Sequence, residues 1–265
     1  MIRERTPTPG SPEKAAVRSM FDRIAPRYDL LNRLLSAGVD RRWRRASVDY
    51  LALPPASRVL DVCTGTADLL IEFLRRDPAH AGVGVDLSGE MLVRGARKLR
   101  RAGLGPRCFL ASGDAERLPL RDGRFDGALV AFGIRNVGEP LVALREIHRV
   151  LRPGGRALVM LYAENSLHYW RKLVWRLGIK EGLLDKASMG EIMSRTVERS
   201  ANDARPLVKV YTKRRAEGLF EDFCRVEVLQ RQLLAEELPA PLRWVRPAIE
   251  RRFGWNLIVK ATKHV

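Results

Sequence analysis

Residues 58–68 read Arg58-Val59-Leu60-Asp61-Val62-Cys63-Thr64-Gly65-Thr66-Ala67-Asp68. The first five are an apolar run of strand length. The next six are a short turn of small and polar residues that opens a helical pattern. A turn of this kind between a strand and a helix lets backbone N–H groups and the helix N-terminus approach a polar ligand closely. Outward from it the chain alternates. A helix is predicted over 67–76, a strand over 81–86, a helix over 88–101 and strands over 108–112 and 126–132. A further helix, 139–151, is expected to stop at Pro153-Gly154-Gly155 before a strand over 156–162. Such alternation implies a parallel sheet with helices on both faces.

The flanks read differently. Residues 13–50 predict helices, with Met20, Phe21 and Ile24 on one face. Pro26 is expected to interrupt the first helix before an apolar-periodic stretch from Leu30 to Leu35. A basic run, Arg41, Arg42, Trp43, Arg44 and Arg45, follows, and Pro54 and Pro55 close the region. Beyond the core, 163–206 predicts inserted helices, 213–223 a helix, and 225–232 and 255–262 two more strands. The expected fold is α/β: a Rossmann-like seven-stranded sheet with helices on both faces, an N-terminal helical lid and an inserted helical cover. The organisation expected is a disordered 1–12 and one domain over 13–265. That domain divides into lid 13–55, cofactor core 56–162, cover 163–206 and a C-terminal part 207–265.

The chain has 265 residues, 46% of them hydrophobic, enough for one α/β domain with a substantial core. No apolar run is long enough to span a bilayer, and MIRERTPTPGSPEK (1–14) has no apolar stretch of the kind a secretory leader needs. Cys63, Cys108 and Cys224 are odd in number and widely spaced, and the four histidines are scattered. This predicts no disulfide framework, no metal site and a cytoplasmic setting. The net charge of +17 is concentrated outside residues 51–150, which carry 15 basic and 12 acidic side chains. It fits either an anionic surface as partner or a compositional bias toward arginine, since only nine of the basic residues are lysine.

Asp86 ends the second strand 21 residues after Gly65. An acidic residue at that distance suits ribose hydroxyls, so the pair points to a nucleoside. The lone glycine argues against a dinucleotide, whose pyrophosphate needs a glycine-richer turn. Asp114-Ala115, after the third strand, offers a carboxylate and an amide for an adenine edge. A generic strand–helix turn with solvent-facing acids would give the same residues.

The segments DRIAPRYDLLNRLLSAGVDRRWRR (22–45), LDVCTGTAD (60–68), GDAERLPLRDGRFD (113–126), FGIRNV (132–137) and RVLRPGG (149–155) resemble the ubiquinone/menaquinone-biosynthesis C-methyltransferases. The resemblance covers roughly 17–160 and implies S-adenosylmethionine as cofactor. It implies that Thr66 and Asp86 contact the cofactor, with Asp86 on the ribose, and that Asp114 and Ala115 contact the adenine. Asp61, Gly65 and Asp68 would surround the methionine end, and Leu87, Met91 and Ala131 complete the cofactor set. Arg135, Asn136 and Tyr28 would be catalytic, the first two beside the reacting carbon and Tyr28 on the lid. Thr64 and Ala67 depart from glycines usual in the family's first motif, and Ala131 stands where a serine is common. The chain after about Tyr162 does not follow the family closely.

The function expected is therefore methyl transfer from S-adenosylmethionine to a small lipophilic, quinone- or phenol-like acceptor at ring carbon. Alternatives are another lipid or natural product methylated at oxygen or carbon, and RNA. RNA is disfavoured, because Ala131–Asn136 lacks the Asn/Asp-Pro-Pro-aromatic grip on a flipped base. A non-enzymatic cofactor binder is a further alternative. Arg135 suits stabilisation of a phenolate, and a structural salt bridge is the plainer reading of it. Finally, Ser166–Leu177 predicts a helix capped by Ser166 and stopped by Gly178. Leu167, Trp170, Val174 and Leu177 are expected on one face, with Arg171, Lys172 and Arg176 on the other. That pattern suits either a packed lid or a helix lying at an anionic membrane surface.

Overall fold

The computed structural model describes residues 14–35, 39–185, 209–232 and 244–265. The expectations for 1–12, for the cover beyond 185 and for Pro239 and Pro241 lie outside these residues. Among the described residues eight strands form one sheet: β1 Arg58–Val62, β2 Ala81–Asp86, β3 Cys108–Ser112, β4 Phe125–Ala131, β5 Leu151–Ala163, β6 Val210–Tyr211, β7 Arg225–Arg231 and β8 Asn256–Thr262. The order is β3-β2-β1-β4-β5-β8-β7, with β6 pairing β5. Strands β1 to β6 pair in parallel, and β8 runs antiparallel to both β5 and β7. The seven expected strands are all present; the two-residue β6 is the addition.

Alternation along each strand sorts the core into two layers. Leu60 and Val62, Ala128 and Val130, Ala157, Val159 and Leu161 face one side. There they meet α5 (Pro140–Val150) through Leu144 and Ile147, together with Phe220 and Phe223, which follow α6 (Lys213–Gly218). Val59, Leu129, Leu158 and Met160 face the other side. They meet α2 (Val39–Leu51), α3 (Asp68–Leu74) and α4 (Gly89–Arg101) through Leu51, Leu70 and Leu99.

Three local expectations need correction. Pro26 does not interrupt the first helix: α1 runs unbroken over Lys14–Leu35 with Pro26 inside it. A proline costs a helix one hydrogen bond. Asp22 and Asp29, on either side of it, are tied to the core and hold the helix through that defect. Pro153-Gly154-Gly155 does not separate helix from strand. β5 begins at Leu151, opposite Phe125, and resumes at Arg156, opposite Gly127, so the segment is a bulge within one strand. The Ser166 segment is a π-helix, His168–Lys180, and passes through Gly178. Ser166 Oγ accepts the Tyr169 N–H at 3.1 Å, as a cap would. Val174 and Leu177 pack inward and Arg171, Lys172 and Arg176 are exposed as expected, but the wider i→i+5 turn moves Trp170 off the packed face. Tyr169 and Leu173 are buried, whereas Trp170 is 56% exposed.

Leu129 is fully buried at the centre of the sheet, between β1 and β5. Leu129→Ala should lower unfolding free energy by about 2–5 kcal/mol in chemical denaturation. A loss under about 1 kcal/mol would contradict this packing.

Candidate active site

A cavity of about 590 Å³ opens over the carboxyl ends of the parallel strands, where open α/β sheets place their ligands. The turns after β1, β2, β3 and β4 supply its floor, and Tyr162 of β5 one wall. Its roof is α1, whose Val17, Phe21, Ile24 and Tyr28 recur at helical spacing and point into it.

Asp86 organises the floor. Its Oδ2 accepts the Gly65 N–H at 2.8 Å, and its Oδ1 accepts the Ser88 N–H at 2.8 Å. One carboxylate thus holds together the turns that follow β1 and β2. Burial raises its pKa, opposed by the N–H groups of Ser88, Gly65 and Leu87. Gly65 has φ of 55°, and nothing lies within 4 Å of where its Cβ would be, so this turn leaves open space beside the carboxylate. Ala67 has φ of 62°, a left-handed position that a glycine takes without strain. That is the physical content of its departure from the expected glycine.

Of the residues expected to act, Tyr28, Gly65, Asp86, Leu87, Met91, Asp114, Ala115, Ala131, Arg135 and Asn136 all line this cavity. Asp61, Thr66 and Asp68 do not. Thr66 Oγ1 donates to Asp29 of α1 at 2.6 Å and accepts from Lys98 at 3.0 Å. Asp68 forms ion pairs with Lys98 and with Arg44, the latter at 2.7 Å. Both side chains therefore tie the lid helices to the core. Asp61 is buried beneath the turn and accepts the Thr64 hydroxyl at 2.6 Å.

At the end of β4 the backbone turns sharply. Phe132 takes φ of 58°, rare for a bulky residue. A Cβ on Gly133 would meet Cys63 Cβ at 2.2 Å, so only glycine allows β4 to approach the end of β1 this closely. The 3₁₀ turn Ile134–Asn136 then presents Arg135 and Asn136. Arg135 Nε donates to the Phe132 carbonyl at 2.9 Å, and its guanidinium carbon lies 5.2 Å from the Tyr162 ring centroid. Asn136 Oδ1 is buried with no hydrogen-bond partner among the described residues. A buried polar atom of this kind calls for a ligand group. An acid for hydroxyls, a second acid at Asp114, open space over Gly65 and an orphaned amide oxygen together fit a nucleoside cofactor and a polar acceptor head.

Several positions that line the cavity were not singled out by the sequence. Lys14 reaches Asp114 at 2.5 Å and Glu116 at 2.7 Å, closing α1 over the third strand's turn. Its lone charge before an apolar helix carried no signal. The apolar face of α1 was visible, but not that it roofs a cavity. Phe132 and Tyr162 looked like strand ends.

Burial pushes the Asp61 carboxyl up to about 7, partly offset by the Thr64 hydroxyl. A raised carboxyl keeps its proton in the folded chain after the unfolded chain has lost it. Stability should therefore fall as pH rises from about 4 to about 7, and Asp61→Asn should flatten that decline in denaturation curves. An unchanged slope would place the titration elsewhere.

The profile of the ubiE/COQ5 methyltransferase family matches residues 10–175. The ubiquinone/menaquinone biosynthesis C-methyltransferase of Geobacter sp. strain M21 is 44% identical over 158 residues, covering 59% of this chain and 67% of that protein. The enzyme of the same name from Syntrophotalea carbinolica is 52% identical over 147 residues, covering 56% of this chain and 61% of that protein. The match thus spans somewhat under two thirds of the second relative's length. A solved S-adenosylmethionine-dependent methyltransferase of Thermotoga maritima superposes with TM-score 0.61 at 19% identity, covering 93% of this chain and 99% of that one. That likeness speaks for the fold. The family profile covers more than half of the chain and includes every element of the cavity described above: the chain belongs to the ubiE/COQ5 methyltransferase family.

Proposed function

We propose that this chain transfers a methyl group from S-adenosylmethionine to a ring carbon of a quinol-type, lipophilic acceptor. The observation that carries the reading is the pairing of Asp86 and Arg135 across one cavity. Asp86 has two oxygens already ordered by backbone N–H groups, leaving lone pairs for ribose hydroxyls. Asp114 and the Ala115 amide take the adenine edge, and Gly65 leaves room for the methionine end. The sulfonium of S-adenosylmethionine supplies an already activated methyl group, so the chain's task is alignment and charge.

Carbon methylation needs electron density on the acceptor ring, which a phenolate supplies. Arg135 stays protonated and is a poor base; beside the acceptor oxygen it favours the anion. Asn136 orients the ring or the water that receives the ring proton. α1 excludes bulk water from the cavity, with Tyr28 on its inner face. Asp61, Thr66 and Asp68 serve the same site indirectly, through the turn and the lid.

The acceptor is met at an anionic membrane surface, on the inner, cytoplasmic side. No described helix is long and apolar enough to cross a membrane. The π-helix instead exposes Trp170, Trp175 and Ile179 at 56%, 57% and 63%. Arg171, Lys172, Arg176 and Lys180 are exposed among them. Apolar and tryptophan side chains interleaved with cations suit the headgroup boundary. The buried side of the same helix packs on Tyr162, a wall of the cavity, so the surface that would dock is next to the acceptor's place.

Asp86→Ala should weaken S-adenosylmethionine binding in calorimetry by about 1–3 kcal/mol. Arg135→Ala should lower kcat by about a hundredfold or more while leaving that affinity nearly intact. A loss in Arg135→Ala confined to cofactor binding would remove Arg135 from the reacting centre. The membrane reading is checked by vesicle sedimentation. Anionic vesicles should bind the protein, at about 1 kcal/mol per basic residue at the surface, and neutral ones should not. Salt and the double change Trp170→Ala, Trp175→Ala should each weaken the binding. Equal, negligible binding to both vesicle types would contradict it.

A further inference from the structure

An unbroken series of aromatic contacts passes the cavity, which two of its rings, Phe132 and Tyr162, line. Trp43 of α2 meets Phe132 edge-on, with centroids 5.3 Å apart. Phe132 stacks on Tyr162 at 5.4 Å and 27°. Tyr162 stacks on Trp255 at 4.7 Å and 25°. Trp255 meets the His168 ring of the π-helix at 4.8 Å. Tyr162 is thus held on two sides, and the rings that hold it come from β4's end and from the residue before β8. Trp255 lies beyond the segment that the family profile matches.

The Arg135 guanidinium sits against this clamped ring, 5.2 Å from its centroid, while Nε is fixed on the Phe132 carbonyl. Phe132 itself is held in a left-handed backbone conformation. A guanidinium is planar and weakly hydrated, so an aromatic face orients it without neutralising it. We propose that Tyr162, clamped between Phe132 and Trp255, is the positioning residue that aims Arg135 at the acceptor's oxygen. Tyr162 acts through Arg135 and not on the methyl group. The C-terminal part of the chain reaches the chemistry through Trp255 in this way. The inference rests on the reading of Arg135 as the group that stabilises a phenolate.

The experiment is a rate series at constant pH with ring-substituted quinols of graded phenol acidity, on the full chain. If Arg135 supports the anion, a variant that loses its aim should suffer most with the least acidic acceptor. Tyr162→Leu should lower kcat about tenfold with the least acidic quinol and under about twofold with the most acidic. S-adenosylmethionine affinity in calorimetry should be unchanged. Tyr162→Phe, which keeps the ring, should restore most of the loss. Trp255→Leu should give a smaller change of the same kind, and it stands in for Tyr162→Leu if that variant does not fold. An equal loss across the series, or a Tyr162→Phe as impaired as Tyr162→Leu, overturns the proposal. Arg135→Ala run beside them separates the two levels. A steep dependence on acidity there with none in Tyr162→Leu or Trp255→Leu overturns only the role of Tyr162. No dependence in Arg135→Ala overturns the phenolate reading itself.

Discussion

The Asp86 carboxylate, accepting N–H groups from Gly65 on one side and Ser88 on the other, is the interaction on which the cavity depends. It ends β2 and, in the same act, fixes the turn that follows β1. Two adjacent parallel strands would otherwise end in independent loops. Joined by one anion, their turns form a single floor to the cavity. The cost is a partly desolvated charge above a second buried acid, Asp61. The Thr64 hydroxyl and a raised pKa together accommodate that second acid.

The lid is organised from the same centre. Ser88, whose N–H binds Asp86, also donates its hydroxyl to Asp22 of α1 at 2.5 Å and caps α4 by accepting the Met91 N–H. Lys14 binds the acids after β3, and Asp29 binds Thr66 and Lys98. Polar ties along the length of α1 therefore end on α4 and on the turns that shape the cavity floor, while its apolar face roofs the cavity. Exposed single pairs of this kind contribute little each. Their number, and their convergence on one helix, set where the roof lies. The aromatic series from Trp43 to His168 joins α2, the sheet and the π-helix, and its Tyr162 ring lies against the Arg135 guanidinium.

The core was legible in the sequence because its physics is local. Val59–Val62 of β1 and Ala157–Leu161 of β5 are buried on both faces and read as apolar runs bounded by turn residues. That Asp86 lines the cavity was legible through its spacing from Gly65, and that Arg135 and Asn136 do through the motif that carries the family resemblance. What was not legible depends on tertiary context. Pro26 reads as a break unless the ties at Asp22 and Asp29 are known. Thr66 and Asp68 read as ligand contacts because they sit in the right turn, yet their side chains face Asp29, Lys98 and Arg44. Trp170 was placed on the wrong face because an α-helical period was applied to a segment that winds as a π-helix. Tyr162 showed only as the last residue of a strand, since the rings that clamp it lie 30 and 93 residues away in sequence.

One cavity is proposed to bring a nucleoside cofactor and a lipophilic phenolic acceptor together for methyl transfer. Incubation with S-adenosylmethionine labelled in its methyl group, against extracted lipid quinols and total RNA side by side, addresses this directly. Label is expected in the lipid phase, bonded to a ring carbon and so retained on treatment with hydriodic acid, which cleaves methyl ethers and esters. Label in RNA with none in the lipid phase would contradict it.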